Sequence, residues 1–136
     1  MAKTRRIWIY SPARAPKPKV PDSIKKDLEA KARELVERVL KPAHVRPPAD
    51  ERFNYIVDIY TKCYRNCFYF CAKYRSPGPN ALSPYFDMRF ARLEYVGNSC
   101  FSLSYMRHTG QWWETHRQLS INECLVAIKD EPHFWP

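Results

Sequence analysis

The turn around Arg107 and His108 is the part of this chain whose residue types most suggest chemistry. The two residues lie in Y-M-R-H-T-G-Q-W-W, residues 105–113, between two segments rich in aromatic residues. Tight turns favour glycine, proline, asparagine or aspartate for backbone reasons, and these reasons do not require an arginine beside a histidine. Histidine can take up or release a proton near neutral pH. The turn is therefore the first candidate site.

One hypothesis for this turn is an enzyme in which His108 is the general base of a pocket walled by Tyr105 and Trp112. Ser102 and Ser104 are expected on the outward face of the preceding strand, beside His108. Neither serine lies in a G-x-S-x-G elbow, and the sequence indicates no acid that would orient the histidine. With three glycines, the chain also has no Walker loop or dinucleotide cradle. An enzyme stays an alternative only, of no familiar class.

The cysteines and histidines do not have the spacing of a metal site. Cys67 and Cys71 share one face of a predicted strand but would lie about 13 Å apart at a rise of about 3.3 Å per residue. A tetrahedral zinc ion with Zn–S bonds of about 2.3 Å cannot join them. His108 and His116 flank the same short strand and would lie at its opposite ends. The sequence therefore predicts neither a metal site nor a cofactor.

Cationic and aromatic side chains are expected together on the outward face of the predicted sheet. Such a mixture can stack bases and hold phosphates, or it can bind an acidic peptide or a partner protein. Alternatively, one tryptophan closes the core, the arginines solvate its rim, and an arginine over a tryptophan is a purely structural cation–π pair. The candidate binding residues are Arg92, Tyr105, Arg107, His108, Trp112 and Trp113, with Arg65, Tyr69 and Lys73 nearby.

The net charge of +9 is concentrated in a proline-rich arm, residues 1–21, which has six basic residues and no acidic one. The remaining chain has 17 basic and 14 acidic residues. We expect the arm to be extended or disordered, because proline fixes φ and removes a hydrogen-bond donor. A basic arm can contact phosphates through counterion release, or it can simply keep the protein in solution. The candidate phosphate contacts are Lys3, Arg5, Arg6 and Arg14.

Two helices flank the segments that would position the candidate site. Apolar residues recur with helical spacing from Asp22 or Ser23 to about Leu40, and Lys41-Pro42 is expected to end that helix. Near the C-terminus, S-x-x-E at residues 120–123 is a capping box. It predicts a second helix to about Lys129, which Pro132 would follow.

Between the helices, alternating aromatic and β-branched residues predict antiparallel strands at 53–61, 64–74, 86–96, 100–107 and 111–116. The alternation changes phase near residues 90–92, which predicts a bulge or a strong bend. The predicted fold class is α+β. Residues 22–136 form one domain, an antiparallel meander of four to five strands with both helices on one face.

The expected compartment is the cytoplasm. The chain has no run of about 18 apolar residues that could span a membrane, and Ile7–Tyr10 is too short for the apolar core of a signal peptide. An odd count of five cysteines also argues against a secreted disulfide scaffold. Self-association is compatible with a short edge strand at 111–116 and with the apolar end Phe134-Trp135.

The second half of the chain resembles a family of small bacterial proteins known only as a domain of unknown function. The similar segments are F-A-R-L-E-Y-V at 90–96, L-S-Y-M-R-H-T-G-Q-W at 103–112, and a C-terminal acidic helix that ends in D-E-P at 130–132. The resemblance implies a small cytoplasmic bacterial protein. It implies no activity, cofactor or catalytic residue.

The leading hypothesis is a non-enzymatic binding or interaction module that uses the Arg107-His108 turn and its adjoining aromatic residues. Its partner would be a protein or a small ligand, and no membrane is involved. Nucleic-acid binding through the arm and the aromatic sheet face is the first alternative, and the His108 enzyme is the second.

Overall fold

The fold is known from a computed structural model of the 136-residue chain, which describes residues 18–47, 52–79 and 81–136. Most of the proline-rich arm, with the candidate phosphate contacts Lys3, Arg5, Arg6 and Arg14, lies outside the described residues. The described end of the arm contacts the folded body. The side-chain amide of Asn66 donates to the carbonyl of Pro18 at 2.8 Å, and Val20 packs against the core.

The N-terminal helical segment begins with α1, Asp22–Leu35, continues through a π-helical turn, Val36–Leu40, and ends with α2, Lys41–His44. Its apolar stripe is buried, as the helical spacing predicts. The predicted end at Lys41-Pro42 is wrong, because the helix runs on to His44. The backbone N–H of Lys41 donates to Val36 O, five residues back. Pro42 therefore lies in the first turn of α2, where the missing N–H of proline is tolerated.

The central element is a single antiparallel sheet of five strands in the order β1-β2-β3-β4-β5. The strands are β1 (Tyr55–Tyr64), β2 (Cys67–Arg75), β3 (Tyr85–Gly97), β4 (Cys100–Met106) and β5 (Trp112–Leu119). The order confirms the predicted meander. Strands β1 and β5 are its edges, and β5 extends three residues beyond the predicted end at His116.

Strand β3 has the predicted bulge. Ala91 pairs with Phe70, whereas Arg89 pairs with the next residue, Cys71, so Phe90 is the extra residue on β3. The side chains of Phe90 and Ala91 are both buried in the core. The bulge thus lets two consecutive residues point to one face, which explains the change of phase in the sequence.

The turn between β4 and β5 is closed by two backbone hydrogen bonds. The N–H of Arg107 donates to Gln111 O at 2.9 Å, and the N–H of Gly110 donates to Arg107 O at 2.9 Å. Gly110 has a φ of +84°, a conformation that glycine adopts with least strain. The predicted turn at His108-Thr109-Gly110 is confirmed, and its tip carries His108 into solvent.

The C-terminal helix α3, Ile121–Asp130, begins with the predicted capping box. Ser120 Oγ accepts from the N–H of Glu123 at 3.2 Å, and Glu123 Oε1 accepts from the N–H of Ser120 at 2.9 Å. A 3-10 turn, Pro132–Phe134, follows the helix. The apolar faces of α1 and α3 pack with one face of the sheet into a single core, and Phe134 is fully buried in it. The fold is therefore α+β with both helices on one face.

Among the described residues, no helix is both long enough and apolar enough to cross a membrane.

Candidate functional site

The face of the sheet opposite α1 and α3 is the candidate site, and we call it the open face. Its central row runs across four strands, because Tyr69 pairs with Arg92, Arg92 with Ser104, and Ser104 with Glu114. Paired residues in an antiparallel sheet point to the same side. Around this row, the open face also carries Tyr60, Cys67, Cys71, Arg89, Glu94, Ser102 and Trp112.

Two arginines and two aromatic rings are in contact on the open face. The Cζ atom of Arg89 lies 4.5 Å from the centroid of the Tyr69 ring, and that of Arg92 lies 5.0 Å from the centroid of Trp112. The Tyr69 and Trp112 rings are themselves 5.9 Å apart. We call Tyr69, Arg89, Arg92 and Trp112 the arginine–aromatic cluster. Each cation–π contact stabilises the arrangement by about 0.5–2 kcal/mol, depending on its exposure to water.

The cluster closes over the centre of the sheet. Neighbouring strands are about 4.8 Å apart, so β2 and β5, with two strands between them, are roughly 14 Å apart in a flat sheet. The rings of Tyr69 and Trp112 nevertheless meet, which requires side chains that lean together over β3 and β4. This explains why Ser104 and Ser102, on a face without a helix, are only 1% and 6% exposed.

The carboxylate of Glu114 is the acidic group beside this cluster. It accepts a short hydrogen bond from Ser102 Oγ and a second bond from Arg117 Nε at 2.8 Å. These two bonds lower the pKa of Glu114 below its usual range, with a further contribution from the positive charge of Arg92. Glu114 is thus held as an anion at neutral pH, and Arg117 offsets its charge.

One polar atom of Arg92 has no partner among the described residues. Its Nε is buried and makes no hydrogen bond within the described parts of the chain. An unpaired buried donor costs about 1–3 kcal/mol. Such groups are rare in native proteins, and they call for an explanation in function or in bound solvent.

The predicted site residues do not form one surface. Trp112 pairs with Met106 and Trp113 with Tyr105, so the two adjacent tryptophans point to opposite faces of the sheet. On the helix side, Arg107 Cζ lies 4.7 Å from the Trp113 centroid. Arg92 and Trp112 therefore belong to the open face, whereas Tyr105, Arg107 and Trp113 lie on the other.

Tyr105 belongs to the packing of the C-terminal segment. Its ring lies 4.8 Å from that of His133 and 6.0 Å from that of Phe134. Because Tyr105 and Trp112 are on opposite faces, they do not form two walls of one pocket beside His108. His108 itself is exposed at the tip of the turn.

One known family matches most of the chain, including every residue of the open face. The family model described as "Domain of unknown function (DUF3024)" matches residues 20–136. The chain belongs to this family. No curated protein and no solved structure matches the chain. The DUF3024 match starts at Val20, so it leaves out all six basic residues of the arm.

The arginine–aromatic cluster includes one residue that the sequence did not lead us to select, Arg89. Arg89 alternates with Met88 and Phe90 in β3, and this alternation was the signal that could have placed it on the open face. It is exposed, and it covers the Tyr69 ring.

A second group of polar side chains in this structure joins two histidines through one carboxylate. His116 Nε2 lies 3.4 Å from Glu131 Oε2, and His133 Nε2 lies 3.0 Å from Glu131 Oε1. The other ring nitrogen of His116 lies 2.7 Å from Thr115 Oγ1. Glu131 and His133 are two residues apart in the chain, whereas His116 reaches Glu131 only through the packing of α3 beside β5. Within the described ranges, no set of three His, Cys, Asp or Glu side chains is arranged to hold a metal ion.

The five thiols are unpaired. Burial raises the pKa of Cys71, on the open face, and raises the pKa of Cys124, in the core, to about 12. Both are therefore protonated and poorly nucleophilic at neutral pH.

Proposed function

We propose that this protein is a binding module whose contact surface is the open face, and that its ligand is single-stranded nucleic acid. The observation that carries the proposal is the arginine–aromatic cluster, in which Arg92 lies over Trp112 and Arg89 over Tyr69 at cation–π distance. The Arg107-His108 turn is not part of this surface, because the Arg107 side chain lies over Trp113 on the other face.

The cluster supports this ligand because it combines the two kinds of contact that single strands use. Bases stack on aromatic rings and on guanidinium planes, and phosphates pair with the cations around them. Unpaired bases are required, since a base inside a duplex offers no free ring face. The Tyr69 side chain is buried beneath Arg89, so on this face bases would stack on the Trp112 ring and on the guanidinium planes of Arg89 and Arg92.

Charge supports the same ligand. The chain has a net charge of +9, and six of its basic residues precede Asp22. A basic segment in the same chain as a stacking surface can add affinity without sequence preference, because each phosphate that is neutralised releases counterions. Lys3, Arg5, Arg6 and Arg14 are the proposed phosphate contacts of this segment.

A second candidate function is the binding of a protein partner on the other side of the β4–β5 hairpin. Trp113 is 53% exposed, and Arg107 lies over its ring. Tryptophan and arginine are the residues that most often dominate protein–protein interfaces. This candidate uses Arg107, His108 and Trp113, whereas nucleic-acid binding uses the opposite face, so substitutions distinguish the two.

The test is a titration of the full chain with a mixed-sequence single-stranded oligonucleotide, followed by tryptophan fluorescence at low and at physiological salt. Dextran sulfate, a polyanion without bases, and the duplex of the same sequence serve as controls. We expect saturable, salt-sensitive quenching by the single strand and weaker effects from both controls. Equal binding of dextran sulfate would contradict base stacking, and no binding at low salt would contradict the proposed ligand altogether.

We also propose that the protein acts in the cytoplasm. Five unpaired cysteines suit a reducing compartment.

A further inference from the structure

The outer surface of α3 separates two grooves. The first, of about 420 Å³, lies between α1 and α3, and the second, of about 470 Å³, lies between α3 and β5. Asn122 and Val126 line both grooves, so they form the ridge between them. Val126 is 57% exposed, and it is the apolar side chain on this ridge.

The two grooves carry opposite charge. The first has the cations Lys31, Arg38 and Lys129 with one acid, Glu34, and an apolar floor that includes Leu35 and Leu125. We call it the basic groove. The second has the acids Glu123, Asp130 and Glu131 beside His116, and an apolar floor that includes Leu119 and Ala127. We call it the acidic groove.

We propose that this surface binds a second copy of the chain around a two-fold axis that runs parallel to α3. Such an axis exchanges the two flanks of the helix, so the basic groove of each copy faces the acidic groove of the other. The Val126 side chains meet at the axis. The contact is isologous, as in closed dimers, because the same surface of each copy takes part. Both charged grooves of each copy therefore face a groove of opposite charge.

Charge complementarity is the observation that selects a second copy as the occupant. A two-fold axis perpendicular to α3 would place like flanks together, basic against basic and acidic against acidic, which is unfavourable. With the axis parallel to α3, the arrangement also leaves the open face of each copy on the outside of the dimer, since α3 packs on the opposite side of the sheet. The dimer would therefore present two ligand-binding faces.

The experiment is sedimentation velocity of the full chain over a wide range of concentration. We expect a concentration-dependent dimer. Val126→Asp should raise its dissociation constant by at least about tenfold, because it places a charge in an apolar contact at the axis. The matched control is Val96→Asp on β3, where a valine 41% exposed lies away from both grooves and should have no effect. A chain that stays monomeric overturns the proposal, and so does a dimer that Val126→Asp leaves intact.

A charge exchange tests the orientation. Arg38→Glu reverses a charge in the basic groove and Asp130→Lys one in the acidic groove. Lys31, Glu123 and Glu131 are avoided because they already pair with Asp27, the Ser120 cap and the two histidines. Each variant alone should dimerise more weakly, and an equimolar mixture should form a heterodimer at least as tight as the wild-type dimer. Two weakened variants that do not recover on mixing would overturn the parallel arrangement. Oligonucleotide binding, measured separately, reports on the open face and not on this interface.

Discussion

The guanidinium of Arg92 lies over the indole of Trp112, with Cζ 5.0 Å from the ring centroid. Arg92 is on β3 and Trp112 on β5, so the contact passes over β4, where Ser104 occupies the intervening position. A small residue there leaves room for the arginine to reach the ring. The pair holds a cation and an aromatic surface in a fixed geometry at the centre of the open face.

Replacement of Trp112 by alanine should weaken binding of a single-stranded oligonucleotide by about tenfold or more, since stacking of one base on an aromatic ring is worth about 1–3 kcal/mol. Arg92→Ala should have an effect of similar size. The matched control pair is Trp113→Ala and Arg107→Ala on the other face, which should change affinity little. Fluorescence anisotropy of a labelled oligonucleotide measures all four. If the two control substitutions caused the larger loss of affinity, the contact surface would be on the helix side of the sheet and not on the open face.

The arm should make the affinity for a single strand depend on salt concentration, and it should add little sequence specificity. Replacement of Lys3, Arg5, Arg6 and Arg14 by glutamine should reduce the slope of log K against log salt by about 0.7 for each single-strand phosphate that is no longer neutralised. Substitution is better than deletion of residues 1–21, because Pro18 and Val20 contact the folded body. Titrations at several salt concentrations give the slope. An unchanged slope would mean that the arm does not touch the phosphates.

Glu114 should make stability depend on pH in the acid range. Its hydrogen bonds with Ser102 and Arg117 lower its folded-state pKa below that of the unfolded chain. Glu114 therefore makes its full contribution to the free energy of unfolding above about pH 4.3, the ordinary pKa of glutamate. This contribution is lost as the pH falls through the lowered pKa of the folded state. The free energy of unfolding of Glu114→Gln should be below that of the wild type at pH 7 and equal to it in strong acid. Urea denaturation at a series of pH values measures the difference, and a constant difference would contradict this role.

Phe134 should anchor the C-terminal segment. It is fully buried, whereas the next residue, Trp135, is 52% exposed. Phe134→Ala should lower the free energy of unfolding by about 3–5 kcal/mol, because apolar burial decreases and a cavity remains. Trp135→Ala, the neighbouring control, should lower it by less than about 1 kcal/mol, as is usual for surface substitutions. Chemical denaturation compares them, and equal effects would mean that the tail is held by something other than Phe134.

Ser120→Ala should destabilise the protein by about 0.5–2 kcal/mol, because α3 loses the hydrogen bond that the Glu123 N–H in its first turn donates to Ser120 Oγ. Lys26→Ala, an exposed position in the first helix that takes no part in this cap and lies outside both grooves, is the control. Thermal unfolding followed by circular dichroism reports both. Equal melting temperatures for Ser120→Ala and the wild type would show that the cap adds nothing to global stability.

Features that depend on neighbouring residues could be predicted from the amino-acid sequence. The capping box at Ser120 and Glu123, the turn at 107–111 and the bulge at Phe90 are each set by hydrogen bonds or side-chain alternation within a few positions, and all three were predicted correctly. The order of helices and strands follows from the same short-range signals. The end of the first helix was missed, because a π-helical turn before Pro42 removes the clash that proline normally causes.

Which side chains meet depends instead on packing in three dimensions. The contact of Tyr69 with Trp112 requires the register of four strands and the way both rings lean over the sheet. The contact of His116 with Glu131 follows from how α3 packs beside β5. Adjacent residues of a strand point to opposite faces, but which of Trp112 and Trp113 lies on the open face depends on which of them pairs with Tyr105. Contacts of this kind arise between elements distant in sequence, and no local pattern of residues encodes their distances.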